Sequence, residues 1–347
     1  MKILIDANGG DYSPKEAIKG AYEFSKETKH DLVLFGIKEE MNEASQKLYG
    51  KNVEDLAENI LVNYVTQKIA VDETPTVSIK KKKDSAMVKA LNALKNEEGD
   101  ILISAGSTGA LLTGAVLLVG RLPGVNRPAL VPTFNFEGKK VFLADSGANT
   151  NIKEINLIQF AKMANLYAKI VEKVENPKIA LLNIGVEPNK GTDIHKEAYK
   201  MLEKEKEKNE LNFIGNIEAR DVFKKDVNVI VTGGFEGNIF VKSIEGTLAF
   251  MKDKIKEKVD NLPKIFKFFI KPKISKMGGS INYKTWGGGV MLGIKRPVIK
   301  LHGDSDSTAF YYTLKQAERI IDSNYIEEFK KNLDFSEDSE KKSETTK

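Results

Sequence analysis

Apolar residues in this chain follow two patterns that alternate from one end to the other. Short β-branched runs predict strands, and segments in which apolar residues recur every three or four positions predict helices. Strands are expected at residues 2–6, 31–36, 60–65, 100–104, 130–134, 141–145, 178–185, 211–215, 227–232 and 297–302. Helices are expected at residues 14–28, 109–120, 152–174, 193–208, 237–260 and 306–323. The alternation is typical of a three-layer α/β/α protein, with a mostly parallel sheet between two layers of helices.

The chain is expected to form one domain over residues 1–330, because no clear linker interrupts the alternation. Residues 334–347 are polar and charged, and we expect them to form a disordered tail. Basic residues concentrate in residues 251–276, which contain nine Lys and three acidic residues. We expect a basic, amphipathic helical element near residues 245–278 to protrude from the domain. A single basic segment gives little support to nucleic-acid binding.

Composition and motifs exclude several kinds of chemistry. The chain has no Cys, which rules out disulfides and thiolate sites and favours a cytoplasmic location. No apolar run is long enough to span a bilayer, and the polar Asp6 comes too early for a secretory signal. The G-x-x-x-x-G-K-[ST], strand-linked G-x-G-x-x-G, G-x-S-x-G and H-E-x-x-H motifs do not occur. The three His are scattered along the chain, so no metal or cofactor site is expected.

Six predicted strands run directly into short loops rich in Gly, Ser, Asn and Asp. These loops are residues 6–11, 104–109, 145–149, 185–191, 232–238 and 302–307. In an open parallel sheet, ligands bind beyond the carboxyl ends of the strands. Gly allows close backbone approach, and the first N–H groups of a following helix suit a phosphate group. We therefore expect the loops to surround one anion-binding cleft, although each loop alone is also an ordinary turn.

Basic residues near these loops are candidates for anion binding. Lys190, in GVEPNKGT, is placed to reach an anion in the cleft, or else is an exposed loop lysine. His302 ends a strand within a polar loop, which makes it a candidate site residue. His195 lies on a Lys-rich helix and is expected to be exposed rather than catalytic. The charge run KKKKDSAM at residues 80–87 is expected to be solvated, with Lys82 or Lys83 facing a phosphate or an acidic partner as the alternative.

The loops form an ordered set that resembles the bacterial acyl-ACP:phosphate acyltransferase (PlsX) family. The matching segments are DANGGD, KKKDSAMV, ISAGSTGAL, RPAL, DSGAN, LLNIGVEPNKG, NFIGNIEARD, GFEGN and HGDSDS. They extend from residue 1 to about residue 325, so the resemblance covers nearly the whole chain. The chain departs from the pattern at Gly233, where the family usually has Asp before G-F-x-G-N. Glu236 is the candidate to replace that carboxylate.

The resemblance implies an enzyme that transfers a fatty acyl group from acyl carrier protein to inorganic phosphate. The products would be free carrier protein and acyl phosphate, which a membrane glycerol-3-phosphate acyltransferase would use in phospholipid biosynthesis. The resemblance also implies a Rossmann-like fold similar to isocitrate and isopropylmalate dehydrogenases. It further implies a homodimer in the cytoplasm that contacts an anionic membrane peripherally, and it implies no cofactor.

The resemblance also suggests roles for residues of the six loops. Phosphate supplies its own anionic oxygen, so the enzyme has to hold it beside the thioester and stabilise the oxyanion that forms. Roles in catalysis are assigned to Lys190, Asn238, Ser107 and Thr108, with Lys190 neutralising the phosphate. The residues expected to bind phosphate or substrate are Asp6, Asn8, Gly9, Gly10, Asp11, Ser104, Gly106, Gly109, Asp145, Asn149, Gly234, Glu236, Gly237, His302, Ser305 and Asp306.

The segment LPKIFKFFIKPKI intersperses aromatic and aliphatic residues with Lys. The residues assigned to membrane or partner contact are Lys264, Ile265, Phe266, Lys267, Phe268, Phe269 and Lys271. A basic amphipathic stretch suits an anionic membrane surface, and the same lysines suit an acidic carrier protein. Packing of these aromatic residues in a dimer interface is a third interpretation.

Three other functions are compatible with parts of the sequence. A phosphotransacylase acting on short-chain acyl-CoA would use the same chemistry with a different carrier. A hydroxyacid dehydrogenase would need a nicotinamide site and a metal-binding carboxylate cluster, which the motifs do not supply. In a non-enzymatic scaffold, the loops would be turns and the basic segment the functional part. The apolar residues of that segment favour a long-chain, carrier-bound substrate.

Overall fold

The computed structural model describes residues 1–136, 138–263, 283–333 and 335. Two β-sheets form the scaffold of this part of the chain. Their strands are β1 Lys2–Asp6, β2 Asp31–Ile37, β3 Ile60–Val65, β4 Ile101–Ser104, β5 Ala129–Val131, β6 Thr133–Phe136, β7 Lys139–Ala144, β8 Lys178–Leu182, β9 Asn212–Ile217, β10 Val229–Val231, β11 Gly289–Leu292 and β12 Val298–Lys300. The larger sheet has the order β3-β2-β1-β4-β12-β11-β5, and the smaller sheet has the order β6-β7-β10-β8-β9.

Helices connect most of the strands. They are α1 Lys15–Ser25, α2 Lys38–Tyr49, α3 Pro75–Lys81, α4 Ala86–Lys95, α5 Thr108–Gly114, α6 Glu154–Ile170, α7 Asp193–Glu207, α8 Gly234–Asp260, α9 Ser307–Asp322 and α10 Tyr325–Asn332. A π-helical segment, Ala115–Val119, continues α5. Helices α2, α3, α4 and α10 were not expected from the sequence. In α2 only Met41 and Ser45 are buried, so its apolar periodicity is weak.

Most neighbouring strands run parallel, which confirms the predicted α/β class. In the larger sheet, β1 is parallel to β2 and β4, β2 to β3, and β4 to β12. In the smaller sheet, β10 is parallel to β7 and β8, and β8 to β9. Only at one end of each sheet do the described strands pair antiparallel, β11 with β12 and β5, and β6 with β7.

The expected single sheet is wrong, because the strand predicted at residues 130–134 is two strands. Strand β5 ends at Val131 in the larger sheet, and β6 begins at Thr133 in the smaller sheet. Pro132 lies between them, and its missing N–H ends a ladder of backbone hydrogen bonds. The chain therefore passes from one sheet to the other at this proline.

One hydrophobic core is shared by the two sheets. It contains Ile103 and Val290 of the larger sheet together with Phe142 and Val229 of the smaller sheet. Two further clusters cover the opposite faces of the sheets, one with α4 and α5 and the other with residues of α8. The division of the chain into domains, with one domain over residues 1–330, stays a prediction.

The end of the chain is packed further than the sequence suggests. Phe335, which we placed in the polar tail, is only 4% exposed and packs against Gly124. The other tail residues, 334 and 336–347, lie outside the described residues. Of the expected protruding element, residues 245–260 form the end of α8, whose buried residues are Gly234, Gly237, Val241 and Val259. Among the described helices, none is both long and apolar enough to cross a bilayer.

Candidate active site

The loops after β1, β4 and β12 meet at the carboxyl end of the larger sheet. A β-carbon on Gly9 would lie 2.6 Å from the amide nitrogen of Gly106. Gly10 has a φ of +99°, and a β-carbon there would lie 2.9 Å from the carbonyl oxygen of Gly303. The N–H of Asp11 donates to the same carbonyl at 2.7 Å. Three of the predicted loops therefore form one packed group, and Gly is what permits their close approach.

Beneath these loops, three polar residues occupy the last positions of three adjacent strands. Asp6 ends β1, Ser104 ends β4 and Lys300 ends β12, and Ser104 is the Cα partner of both Asp6 and Lys300. Paired residues of neighbouring strands point to the same face of a sheet, so the three side chains form a row. Ser104 Oγ donates to Asp6 Oδ2 at 2.7 Å and accepts from the Gly106 N–H at 3.0 Å. We call these three residues the polar row.

Burial shifts the pKa values of the two ionisable groups of the polar row in opposite directions. Asp6 is 2% exposed and Lys300 is 9% exposed. Burial raises the pKa of Asp6 from 3.8 to about 6, although the hydrogen bond from Ser104 and the charge of Lys300 lower it. Burial likewise lowers the pKa of Lys300 from 10.5 to about 8. At neutral pH both groups are therefore mainly charged, within a site that excludes most water.

The loop after β7 is organised by one buried carboxylate. Asp145 Oδ1 accepts from the N–H groups of Leu130 at 2.9 Å and Ser146 at 2.7 Å. The same oxygen accepts from the Ala148 N–H at 3.2 Å. Asp145 Oδ2 accepts from the Asn149 N–H at 2.8 Å and from Asn149 Nδ2 at 2.9 Å. Burial raises the pKa of Asp145, and its hydrogen bonds hold the shape of this loop.

The first turn of α8 packs directly on the loop that Asp145 organises. A β-carbon on Gly234 would lie 2.4 Å from the carbonyl oxygen of Asn149, and one on Gly237 would lie 2.0 Å from the carbonyl oxygen of Asp145. Asn238, one residue further along α8, is exposed beside the loop. These five residues, which the sequence analysis assigned to the site, therefore lie together.

The loop after β8 holds Lys190 at the surface. The side chain of Lys190 is exposed, and its carbons lie against Gly185. Glu236 of α8 is also exposed, and its charge raises the pKa of His195, although burial lowers that pKa more strongly. His195 is half-buried rather than exposed as expected, and its Nδ1 lies 2.8 Å from Thr192 Oγ1.

Helix α8 connects the loops of the two sheets. His302 Nε2, in the loop after β12, lies 2.9 Å from Glu245 Oε1 of α8. Lys242 of α8 is close enough to Lys300 for its charge to lower the pKa of Lys300. The charge of Glu236 acts on His195 in the first turn of α7, which packs against Gly191 of the loop after β8. Helix α8 therefore lies beside predicted loops of both sheets, and we call the region bordered by α8 and these loops the loop cleft.

Some of the predicted binding residues use their polar atoms to hold the scaffold. Asn8 Oδ1 accepts from the Ile37 N–H at 2.6 Å, and its Nδ2 donates to Glu40 Oε2 at 2.8 Å. Ser107 caps α5, where its hydroxyl accepts from the Ala110 N–H at 3.5 Å. Their side chains therefore anchor the ends of the loops in this structure.

The loop after β12 continues into α9 through Ser305 and Asp306. Ser305 is buried, and Asp306 caps α9 by accepting from the Ala309 N–H at 3.1 Å. Asp306 also accepts from Lys284 Nζ at 2.8 Å. Burial raises the pKa of Asp306, but these hydrogen bonds outweigh it and hold the pKa below its ordinary value. Of the other predicted residues, Thr108 begins α5 and Gly109 lies against Pro75.

The structure adds Lys300 to the candidate residues. The signal in the sequence was a charged residue inside the apolar strand RPVIKL, directly before the His302 loop. The seven residues assigned to membrane or partner contact are 264–269 and 271, and all of them lie outside the described residues. Within the described ranges, no three His, Asp or Glu side chains are grouped as metal ligands would be.

A separate cavity of about 480 Å³ lies away from these loops. It is found at the amino ends of β4 and β12, where Lys95, Lys295 and Arg296 contribute to its lining. Ligands of open α/β sheets bind at the carboxyl ends of strands, so the loop cleft is the better candidate for the active site.

Comparison with known proteins identifies the family. A family model described as fatty acid synthesis protein matches residues 1–328. A phosphate acyltransferase of Thermoanaerobacterium thermosaccharolyticum is 37% identical over 337 residues, covering 96% of this chain and 97% of the relative. A phosphate acyltransferase of Clostridium perfringens is 39% identical over 330 residues, covering 94% of this chain and 95% of the relative.

Among solved structures, a phosphotransacetylase from Streptococcus pyogenes superposes with a TM-score of 0.59 at 18% identity, covering 94% of both chains. At this level of identity the likeness concerns the fold, and it agrees with the Rossmann-like α/β architecture. The family, in contrast, is established by the sequence matches, which extend over nearly the whole chain. This chain belongs to the phosphate acyltransferase family and is an enzyme of the acyltransferase class.

Proposed function

We propose that this enzyme transfers a fatty acyl group from acyl carrier protein to inorganic phosphate and so supplies acyl phosphate for phospholipid biosynthesis. The observation that carries the proposal is the close packing of the glycine-rich loops after β1, β4 and β12 beside a buried cation, Lys300. Backbone N–H groups and a fixed positive charge together suit a small dianion. The family membership supports phosphate as the acceptor of the acyl group.

The proposed reaction needs no nucleophile from the enzyme. An oxygen of hydrogen phosphate forms a bond to the thioester carbonyl carbon, and the bond between that carbon and sulfur breaks. The proton of hydrogen phosphate passes to the departing thiolate, so free carrier protein leaves as a thiol. The lack of Cys in the chain is compatible with this route, because the attacking group is already an anion.

The protein contributes position and charge to this reaction. The loops at residues 106–109 and 234–238 offer backbone N–H groups to phosphate and to the tetrahedral oxyanion. Thr108 and the exposed amide of Asn238 are further donors, and Lys190 at the rim can reach an anion that enters. Asp6 and Asp145 position the loops, since both carboxylates are buried and accept hydrogen bonds from them.

We also propose that the enzyme is a homodimer that works at the cytoplasmic membrane surface. The basic and aromatic residues at 264–271 are the basis for membrane contact, because such a segment binds anionic lipid. An acyl phosphate with a long chain is amphiphilic, so release beside the membrane acyltransferase that consumes it would be favourable.

The test is to incubate the purified full-length chain with palmitoyl carrier protein, with and without phosphate. We expect free carrier protein and a palmitoyl phosphate that hydroxylamine traps as the hydroxamate, both only when phosphate is present. Replacing phosphate by arsenate should still release carrier protein but give no trapped product, because acyl arsenates hydrolyse.

Carrier specificity is examined in the same assay with acetyl-CoA and palmitoyl-CoA. Turnover that is fastest with acetyl-CoA would replace the proposal with a short-chain phosphotransacylase. Release of carrier protein at the same rate without phosphate would identify a thioesterase, and no release at all would reject acyl transfer from this carrier.

A further inference from the structure

The polar row places a lysine where a charged side chain is costly. Lys300 is the last residue of β12, between the apolar Ile299 and Leu301, and it is 9% exposed. Transfer of an ammonium group out of water is unfavourable unless nearby groups compensate for the lost hydration. A buried lysine at the carboxyl edge of a sheet therefore requires a physical explanation.

The hydrogen bonds of Lys300 compensate for this burial only in part. Its Nζ donates to the carbonyl oxygen of Leu301 and, at 3.4 Å, to that of Ala105. In the part of the chain that the structure describes, no carboxylate lies within 4.0 Å of this amino group. The close partners of this ammonium group are therefore two neutral carbonyl groups, and among the described residues its charge is not taken up in a close ion pair.

Charged groups on four surrounding elements act on Lys300 at longer range. The carboxylates are Asp6 at the end of β1, Asp11 in the loop after β1 and Asp304 in the loop after β12, and all three raise the pKa of Lys300. Lys242 of α8 lowers it. The amino group therefore faces a second cation on the α8 wall of the cleft. An anion with two negative charges would relieve the repulsion between Lys300 and Lys242.

We propose that the ammonium group of Lys300 binds the inorganic phosphate that attacks the thioester, and that Lys300 rather than Lys190 is the principal cation of the site. This inference rests on the proposed function. Lys190 is exposed and hydrated, so its attraction to an anion is screened by water. Lys300 is held in a site of low dielectric constant, where the same charge acts more strongly.

Asp6 acts in this scheme as a positioning residue. It accepts from Ser104 Oγ at 2.7 Å, and Ser104 is the register partner of Lys300. Its negative charge favours the ammonium form of Lys300, which burial alone would disfavour. The polar row thus keeps Lys300 charged near neutral pH without forming a close ion pair that would neutralise it.

The pH dependence of phosphate binding follows from this arrangement. Because the pKa of Lys300 is about 8, its positive charge is lost as the pH rises above that value. We expect the KM for phosphate to rise in the wild-type enzyme between pH 8 and pH 9. Well above the pKa of Lys300, the rise should approach roughly tenfold for each pH unit. In Lys300→Met this alkaline rise should be absent, a difference that a merely structural lysine would not produce.

The kinetic test compares Lys300→Met with Lys162→Met in the full-length protein. Lys162 is a matched control, because it is a half-buried lysine of α6 that pairs with Glu205 Oε2 at 3.0 Å, outside the loop cleft. We expect Lys300→Met to raise the KM for phosphate at least 30-fold while the KM for palmitoyl carrier protein changes less than threefold. Lys162→Met should change neither value by more than twofold. A Lys300→Met enzyme with a phosphate KM within threefold of wild type overturns the proposal, as does a larger effect of Lys190→Met.

A second variant separates phosphate binding from folding. In Asp6→Asn/Lys300→Met, neither of these two buried positions carries a charge, so the fold should tolerate the change even if Lys300→Met alone does not. We expect this folded variant to remain impaired for phosphate. Recovery of wild-type phosphate KM would show that Lys300 only balances Asp6.

Direct binding keeps the inference separate from the proposed acyl transfer. Inorganic phosphate is titrated into each protein without carrier protein, and binding is followed by ³¹P NMR line broadening. Wild-type binding that Lys300→Met abolishes supports the inference even if palmitoyl carrier protein is not a substrate. Equal binding by the two proteins overturns it even if acyl transfer is confirmed.

Discussion

The Cα of Gly237 packs against the carbonyl oxygen of Asp145 so closely that a β-carbon on Gly237 would lie 2.0 Å from that oxygen. This contact joins the first turn of α8 to the loop after β7. Both partners are backbone atoms of packed elements, so neither can move away as the end of a flexible side chain could. The cleft therefore depends on a glycine at this point of α8.

We expect Gly237→Ala to lower the free energy of unfolding by about 3 kcal/mol, because the methyl group forces α8 away from the loop. Gly246→Ala is the matched control in the same helix, where a β-carbon would meet nothing within 4 Å. It should raise stability by about 0.5–1 kcal/mol through helix propensity. Urea unfolding of both variants measures the difference in the free energy of unfolding. Equal effects of the two substitutions would show that the close contact does not limit the residue at position 237.

Asp145→Asn should destabilise the protein by about 2–3 kcal/mol, since an amide NH2 would face buried N–H donors in place of an acceptor. The wild-type carboxylate accepts hydrogen bonds from four backbone N–H groups and from Asn149 Nδ2. Asp253→Asn on the exposed part of α8 is the control, and it should change stability by less than about 0.5 kcal/mol. Thermal unfolding that shifts equally in both variants would contradict the assigned role of Asp145.

Asp6 should make stability depend on pH in the acid range. Its pKa is raised from 3.8 to about 6, so the folded state favours the protonated carboxyl. The stability contributed by this group is fully present below pH 3.8 and is lost as the pH rises through about 6. The loss amounts to about 3 kcal/mol, on the order of 1.4 kcal/mol for each unit of the shift.

The measurement compares wild-type protein with Asp6→Asn by urea unfolding between pH 4 and pH 7. Because Asn does not titrate, the wild-type protein should lose about 2 kcal/mol relative to the variant over this range, since the unfolded carboxyl is already more than half ionised at pH 4. Parallel stability curves for the two proteins would show that Asp6 has an ordinary pKa.

Much of the fold was predictable because the signals are local. The apolar runs of β1 and β3 are bounded by polar or turn-forming residues, and the strands have the predicted limits, Lys2–Asp6 and Ile60–Val65. The two-sheet arrangement was not predictable in this way. It depends on the pairing of β5 with β11, and β11 lies in the glycine-rich GGGVMLGI, which has little strand propensity.

The candidate site was predictable to a similar degree. Strand ends rich in Gly and Asp located the loops, since their position at a parallel edge follows from topology. The directions of the side chains could not be predicted from the sequence. Asn8 lies in a Gly-rich loop and was predicted to bind substrate, but its amide forms hydrogen bonds with the Ile37 N–H and with Glu40. Lys300 was missed because only the strand register shows that it lies in a row with Asp6 and Ser104.

Membrane contact is tested by replacing both Phe268 and Phe269 with Ser. We expect binding to vesicles that contain anionic lipid to fall at least tenfold, because burial of each aromatic side chain at the interface contributes on the order of 2 kcal/mol. Turnover with palmitoyl carrier protein in solution should stay within twofold of wild type. Co-sedimentation with vesicles and the phosphate-dependent assay measure the two properties.

The control for this prediction is Leu61→Ser/Leu117→Ser, which changes one apolar residue of β3 and one of the π-helical segment that are 39% and 56% exposed. It should bind vesicles as the wild-type protein does, since neither residue belongs to the basic segment. If Phe268→Ser/Phe269→Ser instead loses turnover and aggregates while its vesicle binding is retained, the two phenylalanines stabilise an interface between subunits. Electrostatic attraction by the lysines should persist in the variant, so raising the salt concentration should remove its residual vesicle binding.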